Sequence, residues 1–236
     1  MDLGLTGRVA VVTAASKGLG RATAQALAAE GVKVVLNARN APALDDLAAT
    51  LPEAIVVGGD MTDPAVPAQL VGAAVERWGR LDIVVGNSGG PPTGRALEVD
   101  DEQILAAVNA NMLASVRLAR AALPHLQRQQ WGRVVFIASA SVKQPIPDLA
   151  LSNVSRTALW AWTKTAAQDL ADHGITVNLV APGLHATDRL IERGVTGRTG
   201  DPVDFGQVVA FLCSEQARFI NGIALGVDGG AVTGLL

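Results

Sequence analysis

The sequence predicts an α/β fold in which a parallel sheet is covered by helices on both faces, and three observations lead there. Short β-branched runs recur along the chain and are continuous in hydrophobicity rather than alternating, as strands buried on both faces must be. A segment of helical period separates each run from the next, and strict alternation implies right-handed crossovers between parallel strands. Glycines, hydroxyl residues and isolated cations gather just after the runs, where an open parallel sheet binds its ligands. The expectation is a Rossmann-type, doubly wound parallel sheet of about seven strands, in a single domain over residues 1–236.

RVAVVT (8–13) opens the sheet, and SKGLG turns it into a helix over 19–29. KVVLNA (33–38) precedes a helix over 41–51. AIVVGG (54–59) precedes one over 64–78 that begins at Pro64, tolerated there because a first-turn N–H is unpaired anyway. DIVVGN (82–87) leads to a long helix over 101–126, and RVVFIAS (133–139) to one over 152–171. ITVNLVA (175–181) is followed by an irregular piece rich in Gly, Arg and Thr, then a helix over 204–214 and IALGVD (223–228). No repeat or interdomain linker interrupts the pattern. The irregular piece, at about 184–201, is expected to be a short active-site lid.

With 49% hydrophobic and 17% charged residues the chain is too apolar for disorder and long enough to bury a full core. A net charge of -3 without any basic run argues against a nucleic-acid partner. The lone Cys213, in VVAFLCS, rules out a disulfide within the chain and reads as a buried structural thiol. No stretch approaches the roughly 18 apolar residues of a membrane span, and MDLGLTGR lacks signal-peptide order. A cytoplasmic protein without a membrane partner is expected. His125 and His173 lie near helix ends with no second ligand at metal spacing, so no metal is expected.

In TAASKGLG, Gly18 and Gly20 open a helix whose exposed amides and positive dipole end suit a pyrophosphate, with Thr13 and Ser16 offering hydroxyls. Glycines at such a turn also serve packing alone, so the loop by itself leaves both readings open. The second strand adds to it. NAD-specific sites end that strand in an acid for the ribose 2'-OH, whereas here Ala38 is followed by Arg39. Arg39 and Lys17 would attract a 2'-phosphate that a carboxylate would repel. A dinucleotide bound here is expected to be NADP(H). A nucleotide-type Rossmann methyltransferase fits the glycine turn but neither cation, and the P-loop ATPase pattern is missing.

With these residues in place, the chain resembles the short-chain dehydrogenase/reductases, closest to the 3-oxoacyl-[acyl carrier protein] reductase branch, over essentially its whole length. TAASKGLG is similar to the family's Thr-Gly-x-x-x-Gly-x-Gly, with Ala14 in place of the first Gly and Leu19 between the last two. Asn37 and Arg39 match the adenosine side, and Asp60 with Met61 the adenine-ring position. Asn87-Ser88-Gly89 stands for Asn-Ala-Gly, and Asn111 falls in VNANMLASVRLARAALP. Ser139 takes the place of the catalytic Ser. Pro182, Gly183, Leu184 and Thr187 resemble the segment that holds the nicotinamide. The resemblance implies an NADP(H) oxidoreductase acting on a small carbonyl or alcohol, assembled as a homodimer or homotetramer through the helices over 101–126 and 152–171.

The family's Tyr-x-x-x-Lys is where the chain departs. Its positions hold Ser152 and Arg156, and the chain contains no Tyr at all. Carbonyl reduction needs a proton for the developing alkoxide, which a phenol of pKa about 10 gives up beside a Lys ammonium. Ser152 is a far weaker acid, and its own bland reading is a first-turn helix residue. Arg156 stays protonated yet could hold the nicotinamide ribose. Ser139 and Asn111 complete the expected catalytic set. Lys143, in the substrate-side loop, and His185, in the lid, are the candidate substitute acids. The lid is short for the family, so a small or open pocket follows, with Pro145 and Pro147 stiffening the facing loop. The competing reading is a catalytically silent homologue that senses NADPH or serves as a structural subunit.

Overall fold

Each strand sends alternate side chains into two separate apolar cores, and this period of two organises the molecule. Val9 and Val11 of β1 (Val9–Val12) face one side, Ala10 and Val12 the other. The same division runs through β2 (Lys33–Ala38), β4 (Ile83–Gly86), β5 (Gly132–Ile137) and β6 (Ile175–Pro182). With β3 (Ala54–Gly58) and β7 (Ala224–Val227) they form one seven-stranded sheet in the order β3-β2-β1-β4-β5-β6-β7. Every pairing is parallel. These coordinates are a computed structural model and describe residues 1–188, 190, 194 and 197–235.

One core lies under α3 (Val66–Trp78), α5 (Ala114–Gln129) and α6 (Ala150–Leu170), through side chains such as Leu70, Leu118 and Leu159. The other lies under α1 (Gly18–Ala29), α2 (Pro42–Thr50) and α7 (Pro202–Leu212), through Leu27, Leu44 and Phe205. Helices α1 and α7 meet almost backbone to backbone. A Cβ added at Gly206 would lie 2.5 Å from the Ala22 carbonyl oxygen, so only glycine permits the approach. Cys213 is fully buried just beyond α7, as its apolar setting predicts.

The single helix expected over 101–126 is α4 (Asp101–Val108), a π-helical turn over Asn109–Leu113, and α5. Asp100 starts α4 with a capping box, its side chain accepting from the Gln103 amide at 2.8 Å. The π turn inserts a residue beside Asn111, whose carboxamide donates to the Ala107 carbonyl at 3.1 Å.

At the amino ends of the strands the fully buried Asp82 accepts from Arg8, from Arg80 and from the Val9 amide. The Arg8 and Arg133 guanidiniums both lie over the Trp131 indole, at 3.7 and 4.3 Å from its ring centre. This network fastens the end of the sheet opposite the ligand edge. The strand order reverses between β1 and β4, which places a crevice for ligands beyond the carboxyl ends of those two strands.

Candidate functional site

A cleft of about 750 Å³ opens at that switch point. Its centre is the turn from β1 into α1. Thr13 is buried and ties β1 to β4: its hydroxyl donates to the Asn87 carbonyl at 2.7 Å and accepts from the Asn87 amide at 2.8 Å. The chain then passes through two left-handed residues, Ala14 (φ 47) and Gly18 (φ 57). Helix α1 starts at Gly18 with no side-chain cap and no acidic residue in its first turn. A Cβ at Gly20 would lie 2.3 Å from the Ala14 carbonyl oxygen, so the turn is tight enough to aim the uncapped amides at the cleft. An uncapped, unneutralised helix start fits an anionic pyrophosphate.

One end of the cleft is formed by the ends of β2 and β3. The Asn37 carboxamide donates to the carbonyls of Val57 (3.0 Å) and Gly59 (3.2 Å), closing the two strands together. Arg39 is exposed on the rim, and no carboxylate follows β2. Asp60 accepts from the Thr62 amide at 2.9 Å and from the Thr62 hydroxyl at 2.8 Å. These bonds, with the nearby Arg39 charge, hold its carboxyl below the usual carboxylate range.

The other end is built from β4, β5, α6 and the segment after β6. Arg156 is 5% exposed, and its guanidinium donates through Nη1 to the carbonyls of Ile137 and Ala138, both at 3.0 Å. Ser88 donates to the Asn111 side-chain oxygen at 2.8 Å, joining the end of β4 to the π turn. Ser139 is half-buried, and its oxygen accepts from the Ser141 amide at 3.1 Å, capping a 3-10 turn over Ala140–Val142. Ser152 sits in the first turn of α6, 6% exposed. Ala138 and Leu151, the neighbours of these serines, line the cleft. His185 also lines the cleft, with its ring edge-on to Phe205 of α7 at 5.1 Å between centroids and Nδ1 3.2 Å from the Gly183 carbonyl. Lys143 is half-buried and off the cleft wall.

Most positions named from the sequence converge on this wall. Ser16, Lys17, Gly18, Leu19, Asn37, Arg39, Asp60, Met61, Asn87, Ser88, Gly89, Asn111, Arg156, Gly183, Leu184 and Thr187 all line it. Thr13, Gly20 and Pro182 stand behind it and shape it. Thr62, Gln103, Leu151 and Asp188 also line the cleft and were missed. Thr62 and Leu151 adjoin expected residues, whereas Gln103 carries no chemical signature beyond its capping role. The lid expected over 184–201 lies partly outside the described residues; its ends pair in a parallel bridge between His185 and Gly200. Among the described residues no cluster of His, Cys, Asp or Glu could hold a metal ion, and no helix is long and apolar enough to cross a membrane.

A family model described as "Enoyl-(Acyl carrier protein) reductase" matches residues 13–232. Among sequence relatives, the 3-oxoacyl-[acyl-carrier-protein] reductase of Synechocystis is 33% identical, across 97% of this chain and 98% of its own. Dehydrogenase/reductase SDR family member 4 of Homo sapiens is 34% identical, across 96% and 88%. Among solved structures, the L-sorbose reductase of Gluconobacter frateurii, crystallised with NADPH and L-sorbose, superposes with a TM-score of 0.95 at 30% identity, covering all of both chains. By its sheet order, its cleft and these matches, the chain belongs to the short-chain dehydrogenase/reductase family.

Proposed function

We propose that the chain is an NADP(H)-binding oxidoreductase with an atypical catalytic centre, acting between the cofactor and a small carbonyl or alcohol. The observation that carries this reading is the single cleft across the switch point, with Lys17 and Arg39 toward one end and Arg156 at the other. A related reductase with the same fold was crystallised with NADPH, which supports the choice of cofactor. NADP(H) would supply the hydride. The uncapped start of α1 and Ser16 would hold its pyrophosphate, Lys17 and Arg39 its 2'-phosphate, and Arg156 its second ribose. Asp60 and Met61 would border the adenine.

The proton is the missing part. Arg156 keeps its own at any accessible pH, and Ser152 is both a weak acid and nearly buried in the first turn of α6. Ser139 and Asn111 remain to hydrogen-bond the substrate oxygen, with Lys143 or His185 as donors directly or through water. A loss of about 10² to 10⁴ in rate is expected relative to a site with a positioned acid. We assign the active form to a homodimer or homotetramer in the cytoplasm, with 184–201 as the lid. A silent homologue is the second reading, and the complete absence of Tyr from the chain, with Ser152 and Arg156 in its place, favours it.

Fluorescence titration with NADPH and NADH tests the cofactor: tighter NADPH binding is expected, and tighter NADH binding overturns the assignment. NADPH oxidation over a panel of small carbonyls, with Ser139→Ala as control, tests turnover. Oxidation above that control supports the enzyme; none supports the silent homologue. Activity unchanged in both His185→Ala and Lys143→Ala removes those two donors.

A further inference from the structure

We infer that His185 is a positioning residue: its imidazole ties down the segment Gly183–Thr187, which crosses the cleft beside the nicotinamide half of the cofactor. This role rests on the NADP(H) reading above and says how the chain keeps that half in place.

The segment spans the cleft between two fixed points. At one end the Gly183 amide donates to the Val227 carbonyl of β7 at 3.0 Å, and an added Cβ on Gly183 would meet the Asp228 Cα at 2.7 Å. At the other end Thr187 reaches the start of α1, its methyl 3.4 Å from where a Cβ on Gly18 would lie. Gly183, Leu184, His185 and Thr187 line the cleft along the way. Gly200 holds the middle: its amide donates to the Leu184 carbonyl at 2.9 Å, and its carbonyl accepts from the Ala186 amide at 3.0 Å.

His185 lies between these ties, and its surroundings explain why an imidazole is there. It is 6% exposed and edge-on to Phe205, with Cδ2 and Nε2 each 2.9 Å from the point where a Cβ on Gly200 would stand. A phenyl ring would pack against Phe205 and a glycine as well, and a buried polar ring is costly unless it is hydrogen-bonded. What the imidazole adds is Nδ1, 3.2 Å from the Gly183 carbonyl. A carbonyl only accepts, so Nδ1 carries the proton and donates it. Fixing that carbonyl also fixes the Leu184 amide, because the two belong to one planar peptide and point opposite ways. The Leu184 amide makes no backbone bond among the described residues, so this is what gives it a direction. With its Nδ1 proton engaged, His185 acts through Gly183 and Leu184, and of the two candidate donors the substrate proton falls to Lys143.

The tie is also braced from behind. Phe205 belongs to α7, whose Gly206 meets the Ala22 backbone of α1, and α1 begins at Gly18 beside Thr187. The segment, α7 and α1 thus close a ring of contacts around one side of the cleft. Arg39 and Asp60, at the ends of β2 and β3, lie outside that ring, so loosening His185 should weaken the hold on the nicotinamide half and spare the adenosine half.

Isothermal titration calorimetry with NADPH and with 2',5'-ADP, which lacks the nicotinamide half, tests this without any substrate. His185→Phe keeps a ring between Phe205 and Gly200 but cannot donate. It is expected to bind NADPH about five- to tenfold more weakly than the wild type, the worth of one hydrogen bond, with 2',5'-ADP affinity unchanged and the thermal midpoint not lowered. His185→Asn loses the ring but can place its Nδ2 where Nδ1 stands. It should melt earlier than His185→Phe and yet bind NADPH to within about twofold of the wild type, an order of effects that a purely structural role would reverse. Wild-type NADPH affinity in His185→Phe, an equal loss of 2',5'-ADP, or an Asn variant no tighter than the Phe variant each overturns the inference and leaves the cofactor reading standing. If neither NADPH nor 2',5'-ADP binds the wild type, the cofactor reading falls and this inference with it.

Discussion

Ala14 stands where the family keeps a glycine, and it takes the left-handed conformation that glycine would take, with φ 47. For an alanine that conformation costs roughly 1–2 kcal/mol, part of which a glycine would return as freedom in the unfolded chain. Ala14→Gly is therefore expected to raise the unfolding free energy by about 0.5–1 kcal/mol, read from urea denaturation midpoints at constant slope. An unchanged or lowered midpoint would show that the turn is not strained. Cys213 makes a second residue-scale case. Burial pushes its thiol up to about 12, against an ordinary 9.0, despite the nearby Arg133 charge. The native thiol should resist a disulfide reagent until the protein unfolds, and labelling at the rate of a free thiol would contradict its burial. The sign of the pH effect follows. Above the ordinary thiol range the unfolded chain gives up a proton that the folded chain keeps, so stability present below pH about 9 falls as pH rises toward 12. The sequence revealed that Cys213 is buried, because its neighbours are apolar. It revealed Ala14 only as a departure from a pattern, since left-handed backbone has no signature of its own in an alanine.

At the scale of elements, strands and helices were legible because continuous β-branched runs and helical periods leave few alternatives. The π turn was not. Asn109–Leu113 reads as uninterrupted helix, and what opens it is tertiary: Asn111 bonds back to Ala107 and takes the Ser88 hydroxyl from the end of β4. Spacing likewise located Ser139 and Ser152 but could not say which way they face, because a helix or strand fixes a position and packing fixes the aim. Ser88→Ala leaves the nearly buried Asn111 oxygen without its donor, at an expected cost of about 1–2 kcal/mol. A loss below a few tenths would mean that water replaces the serine. Gly206→Ala tests the contact between α1 and α7. The new Cβ would stand 2.5 Å from the Ala22 carbonyl oxygen, so the helices must part, and about 1–3 kcal/mol should be lost. Since α1 also presents the pyrophosphate-binding turn, NADPH affinity should fall in the same variant, which a purely global destabilisation would not require at temperatures well below unfolding.

For the whole molecule, the parallel sheet carries its own proof in sequence, because strands buried on both faces need apolar residues on each face and helices to cover them. Assembly leaves a fainter trace. The family resemblance puts the contact between copies on the helices over 101–126 and 152–171, and the folded chain leaves Leu105 on α4 68% exposed and Val154 on α6 50% exposed. Single exposed apolar side chains are ordinary, so neither residue argues for a partner by itself. Their place on the two helices that flank the Arg156 end of the cleft is what gives them weight: a second copy docked there would exclude water from the outer side of the same helices that position Asn111 and Arg156. A Glu at each position would bury two like charges against their symmetry mates in such an assembly. The Leu105→Glu, Val154→Glu double variant is accordingly expected to sediment as a monomer where the wild type sediments as a dimer or tetramer, and to bind NADPH less tightly because α4 and α6 lose their support. A wild type that sediments as a monomer, or a double variant that keeps the wild-type mass, would move the interface elsewhere and leave the two helices to hold the cleft on packing within one chain.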